Sequence, residues 1–260
     1  MKKCNNAKKL AYLFGILILA LVCLVGGLRI LEPTVSFSGE NQGAAIERKT
    51  ITRNGVNYFP RQDITVLMIL GVDYAGSAQD SGDYRNPGMA DLVALVIFDE
   101  KAQMYDVLYL NRDTMLDVPV LGMDGEQAGS IYGQLALAHS YGSGLEDSCE
   151  NTVKAVSDFL DGIRIDYYMS VPMDAIAMLN DAVGGVRGLV EDVFSKVDPH
   201  IVSNCSVNTL YSMISRYEDY ELRELVTPEG ENVRGAECYE FYADEEKLDE
   251  LILRLFYAPK

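Results

Sequence analysis

Three apolar runs in close succession, Ile64 to Leu70, Leu92 to Phe98 and Met104 to Leu110, limit most strongly what this chain can fold into. Each is rich in aliphatic and β-branched residues, as strands covered on both faces are. Only a polar turn that opens Asp99-Glu100-Lys101-Ala102 separates the second run from the third. A helical crossover between parallel strands takes about a dozen residues or more, so this pair predicts an antiparallel hairpin and argues against an all-parallel Rossmann sheet.

Helical signals lie further along. Asp147 to Leu160 places Val153, Val156, Phe159 and Leu160 on one face and stops at Gly162, which predicts a core-facing helix. A strand is expected from Ile165 to Val171, a helix from Met173 to Asp181, a stop at Gly184-Gly185, and a further strand from Val186 to Val190. The tail predicts a capped helix from Ser206, a strand from Tyr220 to Val226, a turn at Pro228-Glu229-Gly230 and a helix from Asp244 to Phe256. Together these elements predict an α/β (α+β) fold, a mixed β-sheet flanked by helices.

Lys2, Lys3, Lys8 and Lys9 precede an uncharged run from Leu10 to Leu28. As a helix this run is roughly 28 Å long, close to the ~30 Å hydrocarbon core of a bilayer. The lysines place residues 1–9 in the cytoplasm, 10–28 in the membrane and the remainder outside the cell membrane. A cleaved signal peptide is the alternative. Residues 29–61 are polar, small and without a sustained period, which predicts a linker with one short hairpin around Asn54-Gly55. A core at 62–199 and a C-terminal segment at 200–260 complete the predicted organisation. The formal charge of −17 argues against nucleic acid as a partner, since phosphate neutralisation needs a clustered basic face. Cys149, Cys205 and Cys238 permit one disulfide in an oxidising compartment, and no spacing among the cysteines and histidines suggests zinc.

The three runs also deliver charge at their ends. Asp73 follows the first, Asp91 precedes the second, and Arg112-Asp113 follows the third. Such residues after strands are commonly turn formers, yet two carboxylates and a guanidinium at one end of a sheet also suit a metal ion and a phosphate. His139 falls in an apolar segment expected to be helical and reads as a packed core residue rather than a base.

Gly71-Val72-Asp73, Ala90-Asp91, Asn111-Arg112-Asp113-Thr114, the run from Leu135 through His139 to Gly142, and Ile165-Asp166-Tyr167-Tyr168 through Asp181 to Val186 occur in that order. In this order they resemble the LytR-CpsA-Psr family, also called the cell envelope-related transcriptional attenuator domain. The resemblance runs from Asp63 to Pro199. It implies a membrane-anchored phosphotransferase that moves a polyprenyl-diphosphate-linked glycopolymer onto peptidoglycan, with Mg²⁺ as cofactor. It further implies Asp73 and Asp91 as metal ligands, Arg112 as a clamp on the diphosphate, and Asp113 as its orienting partner or as help in attracting the acceptor's proton. Arg85 and Gln134, read as loop residues, would border the same pocket.

The chain also departs from that pattern. Met89-Ala90-Asp91 stands where many members have Arg-Ser-Asp, and Tyr74-Ala75 where many have an arginine. After Pro199 the expected arginine-rich strand and helix are replaced by His200-Ile201-Val202-Ser203. The alternative expectation is therefore a catalytically impaired paralogue that binds lipid-diphosphate or acts as an envelope interaction module.

Overall fold

The computed structural model describes residues 50–259 apart from 54, 74–85, 123–124, 174–200, 218 and 237. The expected membrane span at 10–28, the basic tail before it, most of the 29–61 linker, Arg85, and the strand at Val186 to Val190 lie outside the described residues. So does the helix expected from Met173, beyond its first residue. Among the described residues no helix is long and apolar enough to cross a membrane.

Strands β1 (Ile51–Arg53) and β2 (Val56–Pro60) form the hairpin expected at Asn54-Gly55, with Gly55 at φ +77° where a left-handed turn residue is needed. Next come β3 (Ile64–Asp73), β4 (Met89–Asp99) and β5 (Met104–Leu110). A hairpin of β6 (Met115–Leu121) and β7 (Gln127–Gln134) follows, then helix α1 (Glu146–Phe159). Strands β8 (Tyr167–Pro172) and β9 (Val202–Ser203) lead to helix α2 (Val207–Arg216) and strand β10 (Glu221–Val226). A second hairpin, β11 (Gly230–Arg234) and β12 (Tyr239–Ala243), precedes helix α3 (Glu245–Phe256) and β13 (Tyr257–Pro259). The final strand pairs antiparallel with β2, so the stretch read as linker ends inside a small sheet.

The main sheet runs β10-β5-β4-β3-β8-β9. Pair β4 with β5 is antiparallel, as the short turn at Asp99 demands, and so is β3 with β4, while β8 joins β3 and β10 joins β5 in parallel. The sheet is therefore mixed, with helices on both faces. Val66, Met68 and Leu70 of β3, with Val93, Leu95 and Ile97 of β4, pack under Ala155 and Val156 of α1 and Leu251 and Leu255 of α3. Leu67, Ile69, Val96, Phe98 and Val107 pack on the other face against Leu210 and Met213 of α2 and against Tyr217. Both faces of the central strands are thus dry, which is why their sequences show unbroken apolar runs instead of alternation.

Local signals account for the flanking elements. Ser206 Oγ accepts from the Thr209 backbone N–H at 3.1 Å, and Asp244 caps α3 through the Lys247 N–H at 3.2 Å. Tyr217 fixes α2 to the sheet. Its ring stacks on Phe98 at 4.2 Å, and its hydroxyl donates to Thr65 Oγ1 at 3.0 Å and Glu100 Oε1 at 3.1 Å.

Candidate functional site

A break in one strand shapes the charged end of the sheet. Gly71 pairs with Leu92 and Val72 with Ala90, so Asp91 is an extra residue on β4. Such a bulge bends the strand and re-aims a side chain. Without it, Asp91 would share the buried face of Val93 and Leu95, since residues two apart in a strand point the same way. With it, Ala90 fills that face at 0% exposure, and the Asp91 carboxyl reaches the sheet's open end with 23% of its side chain exposed.

There it meets Arg112. Nη1 of Arg112 donates to Asp91 Oδ1 at 2.5 Å, and Nη2 lies 3.8 Å from Met89 Sδ. Nε is 3.8 Å from Asp113 Oδ1, so Asp91 rather than Asp113 is the closer partner of the guanidinium. Asp113 is engaged instead by Gln134, whose Nε2 donates to its Oδ1 at 2.8 Å and to the Tyr239 carbonyl at 2.8 Å. Gln134 is the last residue of β7, not a loop residue as expected from sequence. Asp73 ends β3 opposite Met89, exposed, and its charge reaches Asp91.

Electrostatics here are unbalanced. Burial pushes the Asp91 carboxyl above its ordinary value, Arg112 opposes the shift, and the negative charges of Asp73 and Asp113 add to it. Burial likewise raises Asp113, with Arg112 again opposing. Tyr109, at the end of β5, is raised by burial and by Asp113, which places its ring beside this cluster. The sequence did not single out Tyr109, and it marked Met89 only as standing where many members of the resembled family have an arginine. Among the described residues, no three His, Cys, Asp or Glu side chains form a ready metal cage.

Contacts between residues 86–88 and 139–142 brace the chain just before the bulge. Asn86 Nδ2 donates to the carbonyls of His139 and Gly142, each at 2.9 Å, and its Oδ1 accepts from the Gly88 N–H at 2.8 Å. His139 is fully buried, and its Nδ1 donates to the Gly88 carbonyl at 3.0 Å. Burial lowers its pKa, as suits a neutral packing residue. It follows the single 3-10 turn Leu135–Ala138 where a helix was expected. Cys149, Cys205 and Cys238 are free, and burial pushes the Cys149 thiol up, which makes it inert.

The LytR_cpsA_psr family profile matches residues 34–249. The chain is 31% identical over 134 residues to the polyisoprenyl-teichoic acid–peptidoglycan teichoic acid transferase TagU of Halalkalibacterium halodurans, covering 52% of this chain and 36% of that protein. It is 26% identical over 132 residues to the corresponding transferase TagT of Bacillus subtilis, covering 51% and 35%. The matched segment thus spans about a third of the length of these curated relatives. Among solved structures, protein gbs0355 of Streptococcus agalactiae superposes with TM-score 0.57 at 16% identity, covering 74% of this chain and 86% of that one. Bacillus subtilis TagT superposes with TM-score 0.51 at 19% identity, covering 81% and 96%. These structures share the mixed α+β fold. By its profile match over most of its length, the chain belongs to the LytR-CpsA-Psr family.

Proposed function

We propose that this chain is a membrane-anchored, extracytoplasmic phosphotransferase that attaches polyprenyl-diphosphate-linked glycopolymers to peptidoglycan. The observation that carries the reading is Arg112 held on a bulge-projected Asp91, with Asp73 and Asp113 beside it, in a family whose matched relatives are named teichoic acid transferases. Phosphoryl transfer spreads negative charge over non-bridging oxygens, so a positioned guanidinium is more useful to it than a covalent nucleophile. Arg112 offers that fork of donors to the diphosphate, and Asp91 holds it in place.

A magnesium ion held by few protein ligands would suit the oxygen donors here. Asp91 and Asp113 face one guanidinium, and the charge of Asp73 adds to the burial that already pushes Asp91 up. Mg²⁺ takes oxygen ligands, keeps several waters and is shared with substrate phosphates, so Asp73 and Asp91 would suffice as its protein ligands. When bound it would neutralise charge on the phosphoryl oxygens. In the reaction the acceptor hydroxyl oxygen bonds to the sugar-linked phosphorus, the bridging P–O bond breaks, and polyprenyl phosphate leaves. Asp113, raised by burial, would take the hydroxyl proton. Arg85 would border the donor.

A second reading has its own support. Among the described residues Arg112 is the guanidinium that meets these carboxylates, and each charged hydrogen bond lost from a phosphate site costs about 1.5–3 kcal/mol. A paralogue with so few cations would bind a lipid-diphosphate without turning it over. The test is the full chain in detergent with a lipid-diphosphate-oligosaccharide and peptidoglycan, beside a longer relative. Magnesium-dependent transfer is expected. Donor binding without transfer, where the relative transfers, selects the second reading.

A further inference from the structure

The two hairpins beside the charged cluster carry aromatic side chains that face water. Tyr132 of β7 is 61% exposed, Tyr239 of β12 is 53% exposed and Tyr242 of β12 is 38% exposed. Large apolar groups left in solvent side by side commonly mark a binding surface. Strand parity fixes where Tyr132 points. Gly133 and the cross-strand residues Leu116 and Val118 turn toward the core, so Tyr132 and Gln134 share the opposite face. Gln134 is the residue that donates both to Asp113 and to the Tyr239 carbonyl, and the Phe241 N–H donates to the Asp113 carbonyl at 2.8 Å. Phe241 bridges the buried Thr114 and faces the core, so Tyr242 shares the outer face with Tyr132 while Tyr239 has the opposite parity. The face that carries Tyr132 and Tyr242 is therefore continuous with the Arg112 and Asp113 end of the sheet.

Acidic groups surround these rings. Asp117 lies opposite Tyr132, Glu231 lies opposite Tyr242, and the Tyr242 hydroxyl donates to Glu240 Oε2 at 2.7 Å. Flat rings with carboxylates and an amide at their edges suit a sugar chain: the rings cover its C–H faces while the polar groups accept its hydroxyl and amide protons. The same carboxylates repel a phosphate-rich polymer. Of the two polymers that meet in the proposed transfer, the face thus fits the acceptor.

We infer that the β6–β7 and β11–β12 hairpins form the acceptor subsite, in which a peptidoglycan glycan strand stacks on Tyr132 and Tyr242 and is delivered along Gln134 to Asp113. This rests on the transferase reading for the acceptor's identity, and its test separates the two. Full chain in detergent is cosedimented with polymer-free peptidoglycan sacculi, and its binding of a short-chain polyprenyl diphosphate is measured by calorimetry. Tyr132→Ala and Tyr242→Ala are each expected to weaken sacculus binding roughly three- to tenfold, and the pair by more than tenfold. Tyr132→Phe and Tyr242→Phe keep the rings and stay near wild type. Donor binding stays within about twofold throughout, and melting is unchanged because these side chains lie in solvent. Wild-type protein that ignores sacculi, a double variant that binds them normally, or an equal loss of donor binding overturns the inference. Tyrosine-dependent sacculus binding with no transfer leaves it standing and removes the transferase reading alone.

Discussion

Removing the guanidinium of Arg223 should cost the fold about 3 kcal/mol, because it leaves a fully buried carboxylate without its partner. Arg223 Nε donates to Asp106 Oδ1 at 2.9 Å, Nη2 donates to Asp106 Oδ2, and Nη1 donates to Asp99 Oδ2 at 3.1 Å. The Asp106 side chain has 0% exposure. Losing one member of a buried pair costs about 3–5 kcal/mol, and the low end applies since 34% of the arginine side chain remains exposed and Asp99 keeps Arg61 at 2.7 Å. Arg223→Leu should therefore lower the melting temperature by roughly 6–12 °C in a chain of this size. Replacing both charges, as Asp106→Leu with Arg223→Leu, should recover at least about half of the loss, because no buried charge is then stranded. Thermal and urea melts followed by circular dichroism measure all three variants. A single variant within about 0.5 kcal/mol of wild type, or a double variant no better than the single, refutes the reasoning. The pair fastens β10 to β5, the strand that runs directly into Arg112 and Asp113.

Other expectations concern the site and its support. A Cβ at Gly142 would lie 2.7 Å from the Ser148 Cα and 2.8 Å from its N, so Gly142→Ala should destabilise by about 1–3 kcal/mol in a urea melt. Asn86→Ala strands the Gly88 N–H and two carbonyls, and should cost about 1–3 kcal/mol while weakening donor binding through the displaced bulge. Asp113 is raised by burial above its ordinary value of 3.8. Its contribution to stability is thus complete below that value and lost as pH rises through the folded-state pKa. Asp113→Asn should accordingly melt no lower than wild type at pH 7, with its relative advantage shrinking as pH falls toward 4. A constant gap across that range contradicts the assignment.

Much of the sheet was legible because its signals are local. Unbroken apolar runs require burial on both faces, and the short turn at Asp99 permits only an antiparallel return. The caps at Ser206 and Asp244 likewise announce their helices. Register was not legible. Asp91 and Arg223 are each the extra residue at a break in strand pairing, between Gly71 and Val72 of β3 and between Leu222 and Glu224 of β10. Nothing in either neighbourhood marks a bulge, since the pairing partner decides it, and that partner is distant in sequence for β10. Sequence spacing brought Asp91 and Arg112 to one strand end without showing that they touch, or that Asp91 lies closer than Asp113 to the guanidinium. The hairpins β6–β7 and β11–β12 were also missed. Strands β7 and β11 carry glycine and polar residues with little alternation, β6 is interrupted by Pro119, and Gln134 gains its place at the site only through Asp113 and Tyr239. The parallel union of β10 with β5 depends on the same long-range packing.

The central claim is that Asp73, Asp91 and Arg112 together form one site for a metal-bound diphosphate. It is tested most directly by calorimetric titration of the full chain with a short-chain polyprenyl diphosphate, with and without Mg²⁺, for wild type, Arg112→Ala and Asp91→Ala. The account predicts magnesium-dependent binding by wild type, a loss on the order of a hundredfold in Arg112→Ala, and no remaining magnesium dependence in Asp91→Ala. Binding that is equally tight in all three proteins, or indifferent to magnesium in wild type, contradicts it.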